Sequence, residues 1–195
     1  MDIKISSILG SGKLIPTKDI GKIATALKNN GHKVVLTQGV WDLIHEGHAR
    51  YLQKAKALGD VLIVAVDTDE VVKHRKGPNR PIVPEKERVN MISHLKHVDL
   101  IVMKESKTDH NKLIRTIKPD IFVISESTPS NKKGKSFFEE VKEEHEKFCG
   151  EIINLKPQSI TSTTARIRFL TIKGAEDLAT ELQKSIENFL YSNKI

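Results

Sequence analysis

Six consecutive apolar residues, Val61–Val66 ("VLIVAV"), lie between Gly59-Asp60 and Asp67. A run this short and this apolar, closed by turn residues at both ends, reads as a strand buried on both faces. Such strands belong to parallel sheets with helices packed above and below. The rest of the chain is consistent with that sheet. Lys33–Thr37 ("KVVLT"), Leu100–Met103, Ile121–Ile124 ("IFVI") and Glu151–Leu155 read as further strands. Between them apolar residues recur at helical spacing. Ile20, Ile23, Ala24 and Leu27 predict a helix capped by Thr17 and stopped at Asn29-Asn30-Gly31. Leu52, Ala55 and Leu58 predict a second, closed by Gly59. Helices are also predicted over Asp67–Lys73, Glu85–Leu95, Asp109–Ile117 and Phe137–Phe148, with a basic loop, "HRKGPNRPIVP", over His74–Pro84. Two more are expected, Thr163–Thr171 and Ala175–Tyr191, the last with Leu178, Leu182, Ile186 and Leu190 on one stripe.

Strand and helix alternate without a repeat, which predicts an α/β fold: an open parallel sheet with helices on both faces. The expected division is an N-terminal segment and helix over 1–30, a central domain over 31–172, and a helix over 173–195. That last helix is expected to pack on the same domain or on a partner subunit of a homodimer. Open parallel sheets bind ligands beyond the carboxyl ends of their strands. The stretch Thr37–Leu52, "TQGVWDLIHEGHARYL", is therefore placed where a ligand would sit, between the first full strand and the following helix.

Composition narrows the partners. Of 195 residues, 38% are apolar and 29% charged, as in a soluble domain with a sizeable core. No apolar run is long enough to span a membrane, and the N-terminus carries no signal-like apolar core, so no membrane partner is expected. A single cysteine, Cys149, excludes an internal disulfide framework and fits a cytoplasmic setting. The net charge of +7 favours anionic partners. Nucleic acid is the weaker reading of that charge, because aromatics are 5% of the chain and no stacking motif is present.

His45, Gly47 and His48 stand at the strand-to-helix junction. Two histidines three residues apart can share one helix face and bind metal, but a closed zinc site takes about four ligands and Cys149 is alone. Core packing is a second reading. Phosphate binding is the third. A helix start offers unpaired N–H groups and a positive end, Gly47 removes a Cβ, and imidazoles donate to phosphate oxygens. Gly39 allows a tight turn just after the strand. The residues leave packing and phosphate binding both open. "GSGK" at Gly10–Lys13 is not a phosphate-binding loop, since Ser7 replaces the first glycine and Leu14 the terminal Ser/Thr.

"GVWDLIHEGH" resembles the HxGH signature of the nucleotidyltransferase superfamily, in its cytidylyltransferase-like branch, with Trp41 in place of the usual phenylalanine. "YLQKAKALGDVLIVAVDTDE", "RKGPNRPIVPEKERVNMI" and "TSTTARI" resemble three further motifs of that branch in the same order. The likeness runs from about Lys33 to Ile167 and is closest to the adenylyltransferase domain of heptose-1-phosphate nucleotidyltransferases. Two departures stand out. "SESTPSNKKGK" from Ser125 replaces a Gly-Gly-Asp-like segment, and no glycine precedes the Ser-Thr-Thr.

The resemblance implies a Rossmann-like fold. The implied activity is transfer of NMP from an NTP (ATP or CTP) to a phosphorylated small molecule, with pyrophosphate released and Mg²⁺ as cofactor. A heptose-type sugar 1-phosphate is the first expected acceptor, and glycerol 3-phosphate with CTP the alternative. A nucleotide-binding protein without catalysis on the same fold is the rival of another class. The implied catalytic residues are His45, His48, Lys76 and Arg88, with no protein-held metal. Gly39, Val40, Gly47, Ser162, Thr163 and Thr164 would bind the nucleotide. Asp42 and Asp69 would orient a histidine, hold the acceptor or help place Mg²⁺. Ordinary roles stand beside these: surface charge for Lys76 and Arg88, helix capping for Asp69, Ser162 and Thr163.

Overall fold

A computed structural model of the protein describes residues 13–106, 109, 111–126, 136–156, 158 and 163–192. The chain divides into two compact units, Met1–Gln158 and Ser159–Ile195.

In the first unit the elements are β1 (Leu14–Ile15), α1 (Ile20–Asn29), β2 (Val34–Gly39), α2 (Glu46–Lys56), β3 (Val61–Asp67), α3 (Asp69–Lys76), α4 (Glu85–Ser93), β4 (Leu100–Lys104), α5 (Lys112–Ile117), β5 (Ile121–Ser125), α6 (Phe137–His145) and β6 (Glu151–Leu155). The strands form one sheet in the order β1-β4-β3-β2-β5-β6, with every pair parallel. This is the expected Rossmann-like α/β sheet. From β2 the chain first builds outward through β3 to β4, then crosses back to place β5 and β6 on the other side. The order therefore reverses between β2 and β5, and a crevice opens there beyond the carboxyl ends.

Two cores flank the sheet. One face buries Leu36, Ile63, Ala65, Val102 and Phe122 under α1, α5 and α6. The other buries Val35, Leu62, Val64, Ile101 and Val123 under α2 and α4. Successive strand residues alternate between them, as the pleat requires. Tyr51 ties α2 across the reversal. Its hydroxyl donates to the Val123 carbonyl of β5 at 3.1 Å and lies 2.9 Å from Thr37 Oγ1 of β2. A phenol carries one proton, so the Thr37 hydroxyl is the donor of the second bond. Burial pushes the Tyr51 hydroxyl's pKa up, keeping it neutral.

The sheet carries one strand more than the sequence predicts. Leu14–Ile15 is too short to show a period, yet it pairs with β4 at the edge. The Thr17 hydroxyl donates to the Met103 carbonyl at 3.3 Å, while the helix begins later, at Ile20 behind Asp19. Lys13, from the rejected glycine motif, donates to the Leu95 carbonyl at 2.8 Å.

The second unit contains α7, one helix over Thr163–Ser192, where two were expected. Gly174 lies inside it. A glycine costs a helix interior only about 1 kcal/mol relative to alanine, too little to force a break.

Candidate active site

Strand β2 ends at Gly39, and the next residues turn sharply. Trp41 and Leu43 both have positive φ, 57° and 46°, which are unusual and costly for residues with side chains. Several bonds hold this path. The Trp41 indole donates to the Ala65 carbonyl at 3.0 Å. A Cβ on Gly39 would lie 3.2 Å from the Trp41 ring, so glycine lets the indole fold back over the strand end. Asp42, almost fully buried, accepts from the backbone N–H of Ile82 at 3.0 Å and of Val83 at 2.9 Å, and pairs with Arg80 at 2.8 Å. The carboxylate thus fastens the basic loop after α3 onto the histidine segment.

His45 is the residue before α2, in an extended conformation. The Gly47 N–H donates to His45 Nδ1 at 3.0 Å, and the His45 N–H donates to His48 Nδ1 at 3.3 Å. Each imidazole therefore caps the helix start that Ser/Thr and Glu usually cap in such a reciprocal pair. An Nδ1 that accepts carries no proton, so each neutral ring holds its proton on Nε2. The ring centroids are 4.1 Å apart, and Trp41 stands edge-on to His48 at 5.7 Å. Burial first, then the neighbouring His45, lowers the His48 pKa to about 4 against the pull of Asp42. His48 is a neutral hydrogen-bond donor through Nε2 at neutral pH.

Arg88 lies in α4 and is 1% exposed. Its Nε donates to the Val83 carbonyl at 2.9 Å, Nη1 donates to the Val40 carbonyl, and Nη2 donates to the Asp67 carbonyl at 2.9 Å and to Asp69 Oδ1 at 2.7 Å. Four of the five guanidinium N–H groups are engaged within the protein. Expected at the β/γ-phosphates, Arg88 is found joining the ends of β2 and β3, the start of α3 and the basic loop. Val40, expected to approach the nucleotide with its backbone, gives its carbonyl to Arg88. Asp69 holds Arg88 and donates its own N–H to Glu85 at 2.6 Å, while Thr68 caps α3.

Lys76 ends α3 and stands among Arg75, Arg80, Asp67 and Asp42. Burial, then the two arginines, lowers its pKa. Arg75 pairs with Asp67 at 2.7 Å, and Lys104 at the end of β4 lies 3.8 Å from the other oxygen of Asp67. Arg75, Asp67, Arg80 and Lys104 escaped sequence reasoning. The signal available was a charged residue closing an apolar strand ("VLIVAVD", "LIVMK") and the basic loop itself. Cations outnumber carboxylates here, which suits a polyanion.

The structure thus brings together Gly39, Val40, Asp42, His45, Gly47, His48, Asp69, Lys76 and Arg88 at the carboxyl edge of β2 and β3. Thr163 and Thr164 are the first residues of α7, in the second unit. Ser162 lies outside the described residues, as does most of the Ser125–Lys135 segment. Asp42, Asp67 and Asp69 are each engaged by an arginine. Among the described residues no group of three or more His, Cys, Asp or Glu is placed to hold a metal. Mg²⁺ is commonly held by one or two carboxylates together with substrate phosphates, so the ion would be held chiefly by the triphosphate here.

Residues 36–169 match the family described as cytidylyltransferase-like. The bifunctional protein HldE of Helicobacter pylori strain G27 is 48% identical over 111 residues, covering 57% of this chain and 23% of that protein. The Desulfatibacillum aliphaticivorans protein of the same name is 45% identical over 109 residues, 56% of this chain and 22% of its own. The chain thus spans less than a quarter of these relatives. Among solved structures, the lipopolysaccharide core biosynthesis protein from Thermoplasma volcanium GSS1 superposes with a TM-score of 0.57 at 29% identity, over 66% of this chain and all of that one. A pantoate-beta-alanine ligase from Francisella tularensis shares the fold, with a TM-score of 0.52 at 16% identity over 76% of this chain and 68% of its own. The chain belongs to the cytidylyltransferase-like family of nucleotidyltransferases.

Proposed function

We propose that the protein transfers AMP from ATP to a sugar 1-phosphate of the heptose type and releases pyrophosphate. The observation that carries this reading is the reciprocal imidazole cap, which places two Nε2 protons at one helix start beside a half-buried cluster of cations. An oxygen of the acceptor phosphate attacks the α-phosphorus in line. The new O–P bond forms as the bond from the α-phosphorus to the bridging oxygen breaks, and pyrophosphate leaves with the electron pair. No protein nucleophile is required, so catalysis is positioning and charge stabilisation. His45 and His48 donate to the phosphate oxygens on which charge grows. Lys76, with Arg75 and Arg80 behind it, holds phosphate by charge. Asp42 and Arg88 keep the loop and the strand ends in place. The magnesium implied by the resemblance travels with the triphosphate as part of the substrate.

The sugar acceptor is supported by the resemblance to heptose-1-phosphate nucleotidyltransferases and by a structural relative named as a lipopolysaccharide core biosynthesis protein. A screen of four NTPs against sugar 1-phosphates and polyol phosphates, read by pyrophosphate release, tests it. The fastest turnover is expected with ATP and a heptose 1-phosphate. Faster turnover with CTP and glycerol 3-phosphate would replace this reading by the cytidylyltransferase one. Nucleotide binding with no pyrophosphate from any acceptor would overturn it.

A further inference from the structure

Among the described residues, six buried side-chain atoms have no hydrogen-bond partner, and four are oxygens: Gln38 Oε1, Asp67 Oδ1, Asn111 Oδ1 and Asn154 Oδ1. Unsatisfied buried oxygens are costly and uncommon, and they are not scattered here. Gln38 is one residue short of the end of β2, Asp67 ends β3, and Asn154 is one residue short of the end of β6. Alternation places all three on the face of Leu36, Ala65 and Ile152, opposite Trp41 and α2. Asn111 precedes α5, which packs on that same face through Leu113, Ile114 and Ile117. Because α5 follows β4, its first turn lies at the carboxyl edge too.

Gln38 pairs with Ala65, and Asp67 is two residues further along β3. Strand spacing and rise put the two about 8 Å apart, the span of one sugar ring. Lys104 is the register partner of Asp67 and is 5% exposed. Asp67 is itself 1% exposed, with Arg75 on one oxygen.

We propose that this row of acceptor oxygens is the hydroxyl-recognition half of the acceptor site and selects a polyhydroxylated acceptor over an amino-alcohol phosphate. The inference rests on the nucleotidyl-transfer reading for the word acceptor, while the recognition chemistry stands on the row itself. Amide oxygens without donors, and an Asp67 oxygen whose Lys104 partner stands 3.8 Å away, beyond hydrogen-bond distance, match a molecule rich in O–H groups. An ammonium group would also satisfy oxygens, but here it would face the buried Lys104 amine and the Arg75 guanidinium. Burial already lowers the Lys104 pKa against the pull of Asp67, so a further cation is disfavoured while a neutral hydroxyl is not. A site built around such oxygens rejects a ligand that leaves them unpaired.

The test is direct binding to the full chain by calorimetry, with α,β-methylene-ATP present so that turnover plays no part. Heptose 1-phosphate and phosphoethanolamine are the two probes. The wild type is expected to bind the sugar phosphate at least about tenfold more tightly. Gln38→Met and Asn111→Leu are each expected to weaken sugar-phosphate binding roughly three- to tenfold, the worth of one neutral hydrogen bond. Binding of α,β-methylene-ATP should stay within twofold. Asn154→Leu is the alternative variant if one of these fails to fold. Equal binding of the two probes, or unchanged sugar-phosphate binding in the folded variants, overturns the inference. The nucleotidyl-transfer reading fails separately, by absence of pyrophosphate release from a chain that still discriminates the two probes.

Discussion

At the scale of single residues, the two histidines do more than present protons. Each Nδ1 is part of the backbone's hydrogen bonding, so the rings cannot swing without uncapping α2. The only nitrogen of neutral His48 that can take up a proton is Nδ1, and doing so would set a donor against the His45 N–H. With the folded pKa lowered from 6.5 to about 4, the unfolded chain binds the proton first as pH falls. Stability from this group is complete above about pH 6.5 and is lost as pH drops toward 4. Denaturant unfolding from pH 7 to pH 4 should show that decline, and His48→Asn should flatten it. An unchanged slope in the variant would mean that His48 is not the group responsible.

Arg88 gives a second prediction at this scale. Arg88→Ala would strand three backbone carbonyls and leave Asp69 without its cation. A loss of about 3–5 kcal/mol in unfolding free energy is expected. Arg88→Lys should recover little, because an ammonium lacks the planar fork that reaches four partners. Recovery of wild-type stability by lysine would show that charge alone suffices there.

Among the elements, the segment between α3 and α4 is held by Asp42 rather than by its own sequence. Asp42→Ala should release it. Amide hydrogen exchange at Ile82 and Val83 is expected to accelerate at least tenfold, while β3 amides stay protected. Unchanged exchange at those two amides would mean that another contact holds the loop. This dependence was not legible in the sequence, since it joins positions forty residues apart. The strands were legible for the opposite reason. "VLIVAV" lies between Asp60 and Asp67, "IFVI" follows Pro119-Asp120 and "VVLT" comes soon after Gly31, so short apolar or β-branched runs beside turn residues mark them locally. Leu14–Ile15 was not, because two residues carry no period and the strand exists only through its pairing with β4. Site residues divide in the same way. His45, Gly47 and His48 stand in one motif. Arg75, Asp67 and Lys104 meet only once β3, β4 and α3 are side by side, and the inward commitment of Arg88 appears only with its partners in place.

For the molecule as a whole, the reversal of strand order between β2 and β5 opens the crevice in which the proposed chemistry is placed. The histidine segment leaves β2 at that point, with cations from α3 and β4 on one flank. The described residues contain no helix long and apolar enough to cross a membrane. The chain's charge of +7 is in part this local excess around Lys76, which fits a small polyanion rather than an extended one. The central claim is that the imidazole pair carries NMP transfer. Its most direct test is the steady-state rate of pyrophosphate release from ATP and a heptose 1-phosphate in wild type, His45→Ala and His48→Ala. Loss of a donor to transition-state charge predicts a fall in kcat of about a hundredfold or more in each variant, with both chains folded at neutral pH. Turnover within a few-fold of wild type in both variants would contradict it.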